Sequence, residues 1–397
     1  MQIQRHKSRP KRGTGINPRE ALILNSIVSS ALVVSVIEYS WEAILFKPII
    51  AIVIIFVELI YSMASSAAGP VVAQRIGEGP MIYPALDASI GVNIQGPSVI
   101  KVPEWIKEPL GAYFMYFADH KGRYIRLAYA DAVTGPWKIY VPGTLKLEDA
   151  FLLTEPPPVS PSERAAIESR FSGVKLGHDI IREVTAPHIA SPDVHVDQDN
   201  KRIVMFYHGL EALGEQVTRA AISADGITFK ARPEKLGRTY WRSFEHGGFY
   251  YGLAMPGQFY RSTNLLGNYE KGPLLFNKDM RHSAVRVVGD ELMVFWTQVG
   301  EAPEKIKLSR IDMRGDWSNW NESDAVEILR PKLTWEGGEA PLIPSRRSTA
   351  YGLVNQLRDP AVFIEALGLL DERAYLFYAF AGESGIGVAE LKFNEVH

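Results

Sequence analysis

The sequence contains no cysteine, and its charges almost cancel, with 43 lysines and arginines against 45 aspartates and glutamates in 397 residues. Without cysteine the chain can form neither disulfide bonds nor thiolate metal sites. A formal charge of −2 provides no basic surface of the kind that binds nucleic acid, so we predict no nucleic-acid partner. The chain also lacks a P-loop, a GxGxxG turn after a strand and an HExxH helix, and the residues themselves therefore predict no cofactor.

Long apolar runs occur near the amino terminus, at residues 21–37 and 43–64. Each is close to the length of a membrane-spanning helix, and residues 1–20 before them are basic, which is typical of a cytoplasmic flank. The sequence thus predicts that residues 1–64 form a hydrophobic helical segment that anchors the protein in a membrane, with the amino terminus in the cytoplasm. Two alternatives stay open: a cleaved leader, or a translation start at Met63 that would leave a soluble cytoplasmic protein.

From residue 76 onward the sequence repeats one unit of three strands. The clearest copy, residues 357–391, has a charged pair and a proline before an apolar strand, then an aromatic-rich strand and an alternating strand. Further copies begin near Gly96, Ser191, Trp241 and Arg281. A three-stranded sheet cannot bury both of its faces alone, so the units must pack against one another. Residues 76–397 are therefore predicted to form an all-β, five-bladed β-propeller, with a β-sandwich as the alternative.

Two long insertions separate the repeats, at residues 142–190 and 315–356. The first includes Ser160–Arg170, which has the pattern of a short capped helix. Long ordered insertions usually lie over one end of a propeller, where they form the wall of a pocket.

Several segments together resemble a known group of enzymes. FADHKGRYIRLAYADAVTGPW, HIASPDVHVD, MRHSAV and LRDPAVF with LFYAFAGESGIGVAEL are similar to the five-bladed propeller glycoside hydrolases related to families 43, 32, 68 and 117. They look closest to an uncharacterised bacterial branch of that group, over about residues 76–395. The resemblance implies a glycosidase that cleaves a carbohydrate bond in the central pocket with a pair of carboxyl groups. Beyond that, the resemblance implies no cofactor other than a structural calcium ion in the channel.

The first strand of each propeller blade lines the central channel, so the residues that begin these strands should meet at one mouth. These segments are Asn93–Gly96, Ser191–Asp193, Tyr240–Ser243, Arg281–His282 and Arg358–Asp359. Under the resemblance, Asp193 matches a second-blade carboxylate that orients or tunes the acid, while Asp359 and Arg358 would bind sugar hydroxyls or stabilise charge. Arg242 and Arg281 would complete a ring suited to an anionic sugar or to hydroxyl groups.

Proton transfer requires further groups. Asp119, in a turn after an aromatic strand, or His282 would supply it. His120 and His188 are additional candidates because imidazole titrates near neutral pH. Glu383, in the turn AGESG, would reach the substrate from the last blade.

Several of these candidates also have structural interpretations. Asp359 precedes a proline and can cap a turn, as aspartate often does. Asp119 and Glu383 occur in ordinary polar turns. Asp193 shares a strand face with His195, which is either a channel face or a solvated edge.

The sequence also departs from the enzyme group in two places. The first blade of the group begins with a base aspartate, whereas this chain has Gln95, Gly96 and Pro97 there. The third blade lacks the usual acid at its head, and Glu245 lies beyond it. A carbohydrate-binding propeller without catalytic activity is therefore the alternative function.

Overall fold

The computed structural model describes residues 68–173, 176, 179–368 and 371–395. Gly69–His397 forms one compact unit, and its described part is a five-bladed β-propeller in which every blade is a four-stranded antiparallel sheet. The prediction of an all-β five-bladed propeller is confirmed, and the β-sandwich alternative is wrong. Within the described residues only two α-helices occur, α1 (Pro161–Arg170) and α2 (Ile180–Thr185).

The blades take their strands from the chain as follows. Blade 1 contains β2 (Gln95–Lys101), β3 (Tyr113–Ala118), β4 (Arg126–Ala130) and β5 (Lys138–Tyr140). Blade 2 contains β6 (Ile189–Asp197), β7 (Arg202–Ala212), β8 (Glu215–Ser223) and β9 (Lys230–Ala231). Blade 3 contains β10 (Arg242–His246), β11 (Phe249–Ala254), β12 (Gln258–Ser262) and β13 (Glu270–Leu274). Blade 4 contains β14 (Met280–Val288), β15 (Glu291–Gln298), β16 (Ile306–Asp312) and β17 (Val326–Leu329). Blade 5 contains β18 (Arg358–Ala366), β19 (Glu372–Ala379), β20 (Ile386–Glu395) and, from the other end of the chain, β1 (Ala68–Arg75).

The second strand of each blade supplies most of the core. These strands are rich in aromatic and β-branched residues, which fit a pleated surface buried on both faces. Phe114, Phe206, Phe295 and Phe377 on four of them are fully buried. Apolar clusters fill the spaces between neighbouring blades, so each sheet covers the face that its neighbour leaves open.

Blade 5 is closed by β1, which pairs with β20 as its outermost strand. The sequence prediction started the propeller at residue 76 and did not include this strand. Arg75, at the end of β1, donates to both carboxylate oxygens of Glu336 at 2.7 and 2.6 Å. Glu336 is fully buried and also accepts a hydrogen bond from the Tyr378 hydroxyl, so this ion pair ties β1 to blade 5.

We expect the substitution Arg75→Gln to lower the free energy of unfolding by about 2 kcal/mol, measured by urea denaturation. Breaking a fully buried ion pair costs about 3–5 kcal/mol, and the effect is smaller here because Arg75 keeps some contact with solvent. Arg314→Gln is the matched control, because Arg314 pairs with Asp312 on the surface, and it should cause no measurable change. Equal effects of the two substitutions would contradict the role given to Arg75.

The predicted membrane anchor is corrected. No helix in the described part of the chain is long and apolar enough to span a bilayer. The two apolar runs on which the prediction rested, residues 21–37 and 43–64, lie outside the described residues.

The two predicted insertions, residues 142–190 and 315–356, meet at one end of the propeller. The predicted helix near Ser160 is confirmed: Ser160 caps α1 and forms a capping box with Glu163. Part of the second insertion is β17, the outermost strand of blade 4. The two insertions meet where the Ser348 hydroxyl donates to Glu183 of α2, which also pairs with Lys121 at 3.3 Å.

Candidate functional site

The inner strands β2, β6, β10, β14 and β18 each form one edge of their sheet and together surround the channel. Gly96, Ser191 and Asp359 lie within the first three residues of β2, β6 and β18, and each precedes a proline and has a positive φ, of 63, 49 and 45°. The strand ladder is interrupted at the same points, which turns these residues out of the regular pairing. Left-handed backbone is costly for residues other than glycine, and such positions often occur at functional sites.

Gly96 belongs to the segment Gln95-Gly96-Pro97, where the resemblance implies a base aspartate. A Cβ at this glycine would lie 2.9 Å from the Cα of Ser191 in the next blade. An aspartate therefore cannot be accommodated without a shift of the backbone. Close packing of blades 1 and 2 therefore accounts for the absence of an acid at this glycine.

Asp359 is fully buried, and neither of its carboxyl oxygens has a hydrogen-bond partner among the described residues. Its Oδ1 lies 3.2 Å from Nδ1 of His282. That ring nitrogen already accepts the backbone N–H of Asp359 at 3.2 Å. Burial, reinforced by the nearby charge of Glu383, raises the pKa of Asp359 to about 8. The carboxyl group is therefore protonated at neutral pH, and it does not cap a turn.

Glu383 has the opposite environment. It accepts hydrogen bonds from Arg358 at 2.8 Å, from Asn93 at 2.7 Å and from Nδ1 of His120 at 3.1 Å. Burial alone would raise its pKa, but His120, Arg358 and Asn93 outweigh burial and lower the pKa to about 2. Glu383 is thus charged near neutral pH and accepts the proton that His120 carries on Nδ1. The other ring nitrogen of His120, Nε2, then carries a lone pair and no proton.

Tyr240 lies at the centre of a group of buried rings. Its ring centroid is 4.4 Å from that of His208 and 4.6 Å from that of His282, and its hydroxyl is 3.5 Å from Nε2 of His120. Burial lowers the pKa of His208 and of His282 well below the usual value, and that of His188 to about 3. These three histidines are therefore neutral near pH 7, so none of them is a strong proton donor.

Two arginines hold the second insertion over this cluster. Arg281 pairs with the fully buried Glu304 at 3.1 Å, and Arg358 lies 3.4 Å from the same carboxylate. Both guanidinium groups donate to the carbonyl of Ser348 at 3.1 Å, and both also donate to the carbonyl of Arg346. The segment 346–348 thus closes the end of the channel above Asp359.

The remaining predicted residues lie close to this cluster without joining its carboxyl groups. Asp119 caps its own turn, accepting the N–H of Lys121 at 2.8 Å. Nδ1 of His188 lies 2.8 Å from the carbonyl of Ala186. Arg242 is buried and donates to the carbonyls of neighbouring inner strands.

Asp193 and Asp359 do not share one cavity. Asp193 lines an open cavity in the other half of the channel, whereas Asp359, Glu383, His120 and Tyr240 do not line it. Asp193 accepts the backbone N–H of Ser243 at 2.7 Å and so links blades 2 and 3. The sequence predicts that Asp193 lies beside Asp359 at one mouth of the channel. The structure instead places Asp193 in a cavity that Asp359 does not line.

Comparison with known proteins places the chain in a family. No protein-family model matches it. An uncharacterised protein of Acanthamoeba polyphaga mimivirus is 33% identical over 326 residues, which cover 76% of this chain and 84% of the viral protein. The chain belongs to the family of this viral protein. The bacterial branch to which the resemblance pointed is not shown.

Solved structures share the propeller fold with this family. One is a structure from the GH130 family of mannoside phosphorylases, which contains glycoside hydrolases that target β-1,2 mannosidic linkages; it is 13% identical, has a TM-score of 0.50, and covers 82% of this chain and 94% of its own. Another is a GH43_1 enzyme from Xanthomonas citri, which is 10% identical with a TM-score of 0.47 over 79% of this chain and 89% of its own. At 13% identity the likeness to the GH130 structure shows the fold alone.

The calcium ion implied by the resemblance requires a set of oxygen ligands. Across the described residues, no three histidine, cysteine, aspartate or glutamate side chains are placed to hold a metal ion. The calcium ion stays a prediction of the resemblance.

Proposed function

We propose that this protein is a glycoside hydrolase whose reacting groups lie in the closed end of the channel, with Asp359 as the acid. The observation that carries the proposal is the buried carboxyl group of Asp359, which has no hydrogen-bond partner among the described residues, in the same cluster as His120, whose imidazole is oriented by a second carboxylate. Glycosidic cleavage requires one group that protonates the leaving oxygen and another that activates the attacking water or attacks the sugar itself.

Asp359 suits the first of these roles. Its proton has no acceptor among the described residues, so a glycosidic oxygen that enters the site would become its partner. A pKa of about 8 keeps the carboxyl group protonated at neutral pH yet able to release its proton in the transition state. Glu383 assists by keeping a negative charge nearby, which opposes ionisation of Asp359 in the resting enzyme.

His120 suits the second role. Glu383 holds the Nδ1 proton, so Nε2 presents a lone pair toward the Tyr240 hydroxyl. A carboxylate that orients an imidazole in this way is the arrangement by which many hydrolases prepare a general base. Glu383 itself is too weak a base, since its pKa is about 2, and it acts as a positioning residue.

A cavity of about 400 Å³ adjoins the cluster and provides a place for the sugar. Its lining includes Arg358 from the cluster and Arg346, Thr349, Tyr351 and Gln356 from the second insertion. The volume falls within the usual range for small-molecule sites. Because Asp359 is fully buried, segment 346–348 must shift before a substrate from this cavity reaches it.

The test is hydrolysis of a panel of 4-nitrophenyl glycosides and of β-linked mannose and xylose disaccharides. We expect wild-type protein to cleave at least one of them, Asp359→Asn and His120→Gln to lose about 100-fold or more in kcat, and the surface control Asp199→Asn to be unaffected. Binding of a sugar by calorimetry without turnover would favour the alternative of a non-catalytic carbohydrate-binding propeller, which the glycine at position 96 supports. The absence of both binding and turnover would reject both functions.

A further inference from the structure

The open cavity in the other half of the channel has a volume of about 430 Å³. All five inner strands line it, β10 through its first two residues and the other four through residues further along, so it lies on the axis of the propeller. Its size falls within the range of natural small-molecule sites, which is about 300–1,000 Å³. None of the groups assigned to the proposed hydrolysis, Asp359, Glu383, His120 or Tyr240, lines it.

The main polar feature of this cavity is an ion pair between His195 and Asp193. Nε2 of the histidine lies 2.7 Å from Oδ2 of the aspartate. Burial opposes both charges, but the two partners outweigh it, so the pKa of Asp193 is lowered and that of His195 is raised. The His195 side chain remains 38% exposed, and its other ring nitrogen, a donor in the charged form, has no hydrogen-bond partner within the described residues.

Cationic side chains outnumber anionic ones in the lining. The charged lining residues are Lys101, Asp193, His195, Arg242 and Glu365. Asp193 is occupied by His195 and the N–H of Ser243, and Glu365 accepts hydrogen bonds from the hydroxyls of Tyr113 and Tyr375. The donors that remain are on His195 and Lys101. The acidic Asp197, Asp199 and Glu245 line a neighbouring groove that also includes His195. Asp197 is paired with Arg202 at 2.7 Å, and Asp199 and Glu245 are exposed to solvent, where salt weakens their effect.

The rest of the lining is mixed. Val99, Val285, Val362 and Ile364 line the cavity together with the polar Ser98, Gln198 and Ser243 and with small residues of the inner strands. A ligand that matches this lining combines one anionic group with a short hydrocarbon body, because the two unpartnered cationic donors share the cavity with aliphatic side chains.

We propose that this axial cavity binds a small organic monocarboxylate, with its carboxylate on His195 and Lys101 and its hydrocarbon part against Val99, Val285 and Val362. This site is separate from the proposed hydrolytic centre. Loss of the His195 proton at alkaline pH removes the charged donor, so affinity should fall as pH rises through the raised pKa of His195.

The experiment is isothermal titration of the full-length protein with sodium butyrate and, as the neutral isostere, butyramide. We expect butyrate to bind with a Kd of about 1 mM or lower, and butyramide to bind at least 10-fold more weakly. His195→Gln and Lys101→Gln should each weaken butyrate binding about 10-fold, whereas Lys138→Gln, a surface control on β5, should not. Lys101 is exposed at the rim, so its substitution tests the site even if His195→Gln fails to fold.

Equal affinity for butyrate and butyramide would overturn the proposal, as would butyrate binding that neither substitution changes, or no binding at about 20 mM butyrate. Hydrolysis of glycosides is measured separately on the same variants. If His195→Gln keeps the hydrolytic activity and loses butyrate, the two sites are independent; if the wild-type protein binds butyrate but cleaves no glycoside, only the proposed hydrolysis fails.

Discussion

Asp359→Asn is expected to stabilise the propeller at pH 8 while it lowers kcat by about 100-fold or more. In the unfolded chain this carboxyl group ionises near pH 4, whereas burial keeps it protonated up to about pH 8 in the folded protein. The folded state therefore binds more protons across this interval, and its stability falls as pH rises from about 4 to about 8. The accumulated loss in the free energy of unfolding is on the order of 5 kcal/mol. A neutral asparagine at position 359 does not ionise, so the variant avoids this loss.

The measurement is urea denaturation of both proteins at pH 5 and at pH 8. The stability of Asp359→Asn relative to wild type should be greater at pH 8 than at pH 5, by several kcal/mol. If the difference between the two proteins does not change with pH, Asp359 is ionised in the folded state and cannot be the proton donor. The combination of higher stability and lost activity would mark a residue retained for function at the expense of the fold.

Glu383→Gln is expected to have the opposite effect on stability, lowering the free energy of unfolding by about 3 kcal/mol near neutral pH. The substitution leaves the buried Arg358 guanidinium without its closest anion, and removing one member of a buried ion pair is strongly destabilising. Because the pKa of Glu383 is depressed to about 2, its contribution is present above about pH 4 and is lost as pH falls toward 2.

The check is a pair of acid-denaturation and urea series on wild type and Glu383→Gln, with the exposed Glu155→Gln as control. The difference between wild type and Glu383→Gln should shrink as pH falls from about 4 to about 2, while the control should follow the wild-type curve throughout. If the difference in free energy of unfolding between the two proteins stays constant down to about pH 2, the carboxylate stabilises the fold through its shape and not through its charge.

The repeat pattern was sufficient to predict the propeller, because each aromatic second strand must be covered by a neighbouring sheet. The cluster was only partly predictable. Inner strands begin at the same end of each blade where the turn between the second and third strands lies, so residues of those turns join the strand heads. His120, Glu304 and Glu383 all occupy such turns. Glu304 was not identified, although the same topological rule would have found it.

The sequence also contains the information needed to predict that Asp193 and Asp359 lie apart in the channel. In Asp359-Pro360 the aspartate is the left-handed residue before the proline, whereas in Ser191-Pro192-Asp193 that position belongs to serine. Asp193 is therefore two residues further along its strand and deeper in the channel. The closing strand β1 could not be recognised, because its small residues follow the apolar N-terminal runs and resemble a cleavage site as much as a strand.

The fifth blade joins the first and the last strands of the propeller. It contains both Asp359, on β18, and Glu383, in the turn before β20, and its outermost strand is β1. During synthesis β1 is therefore made first and must wait for β20, the last strand of the propeller, before the blade can assemble. A ribosome-bound or truncated chain that lacks the turn before β20 and β20 itself would carry every other blade and yet lack Glu383 of the proposed hydrolytic centre.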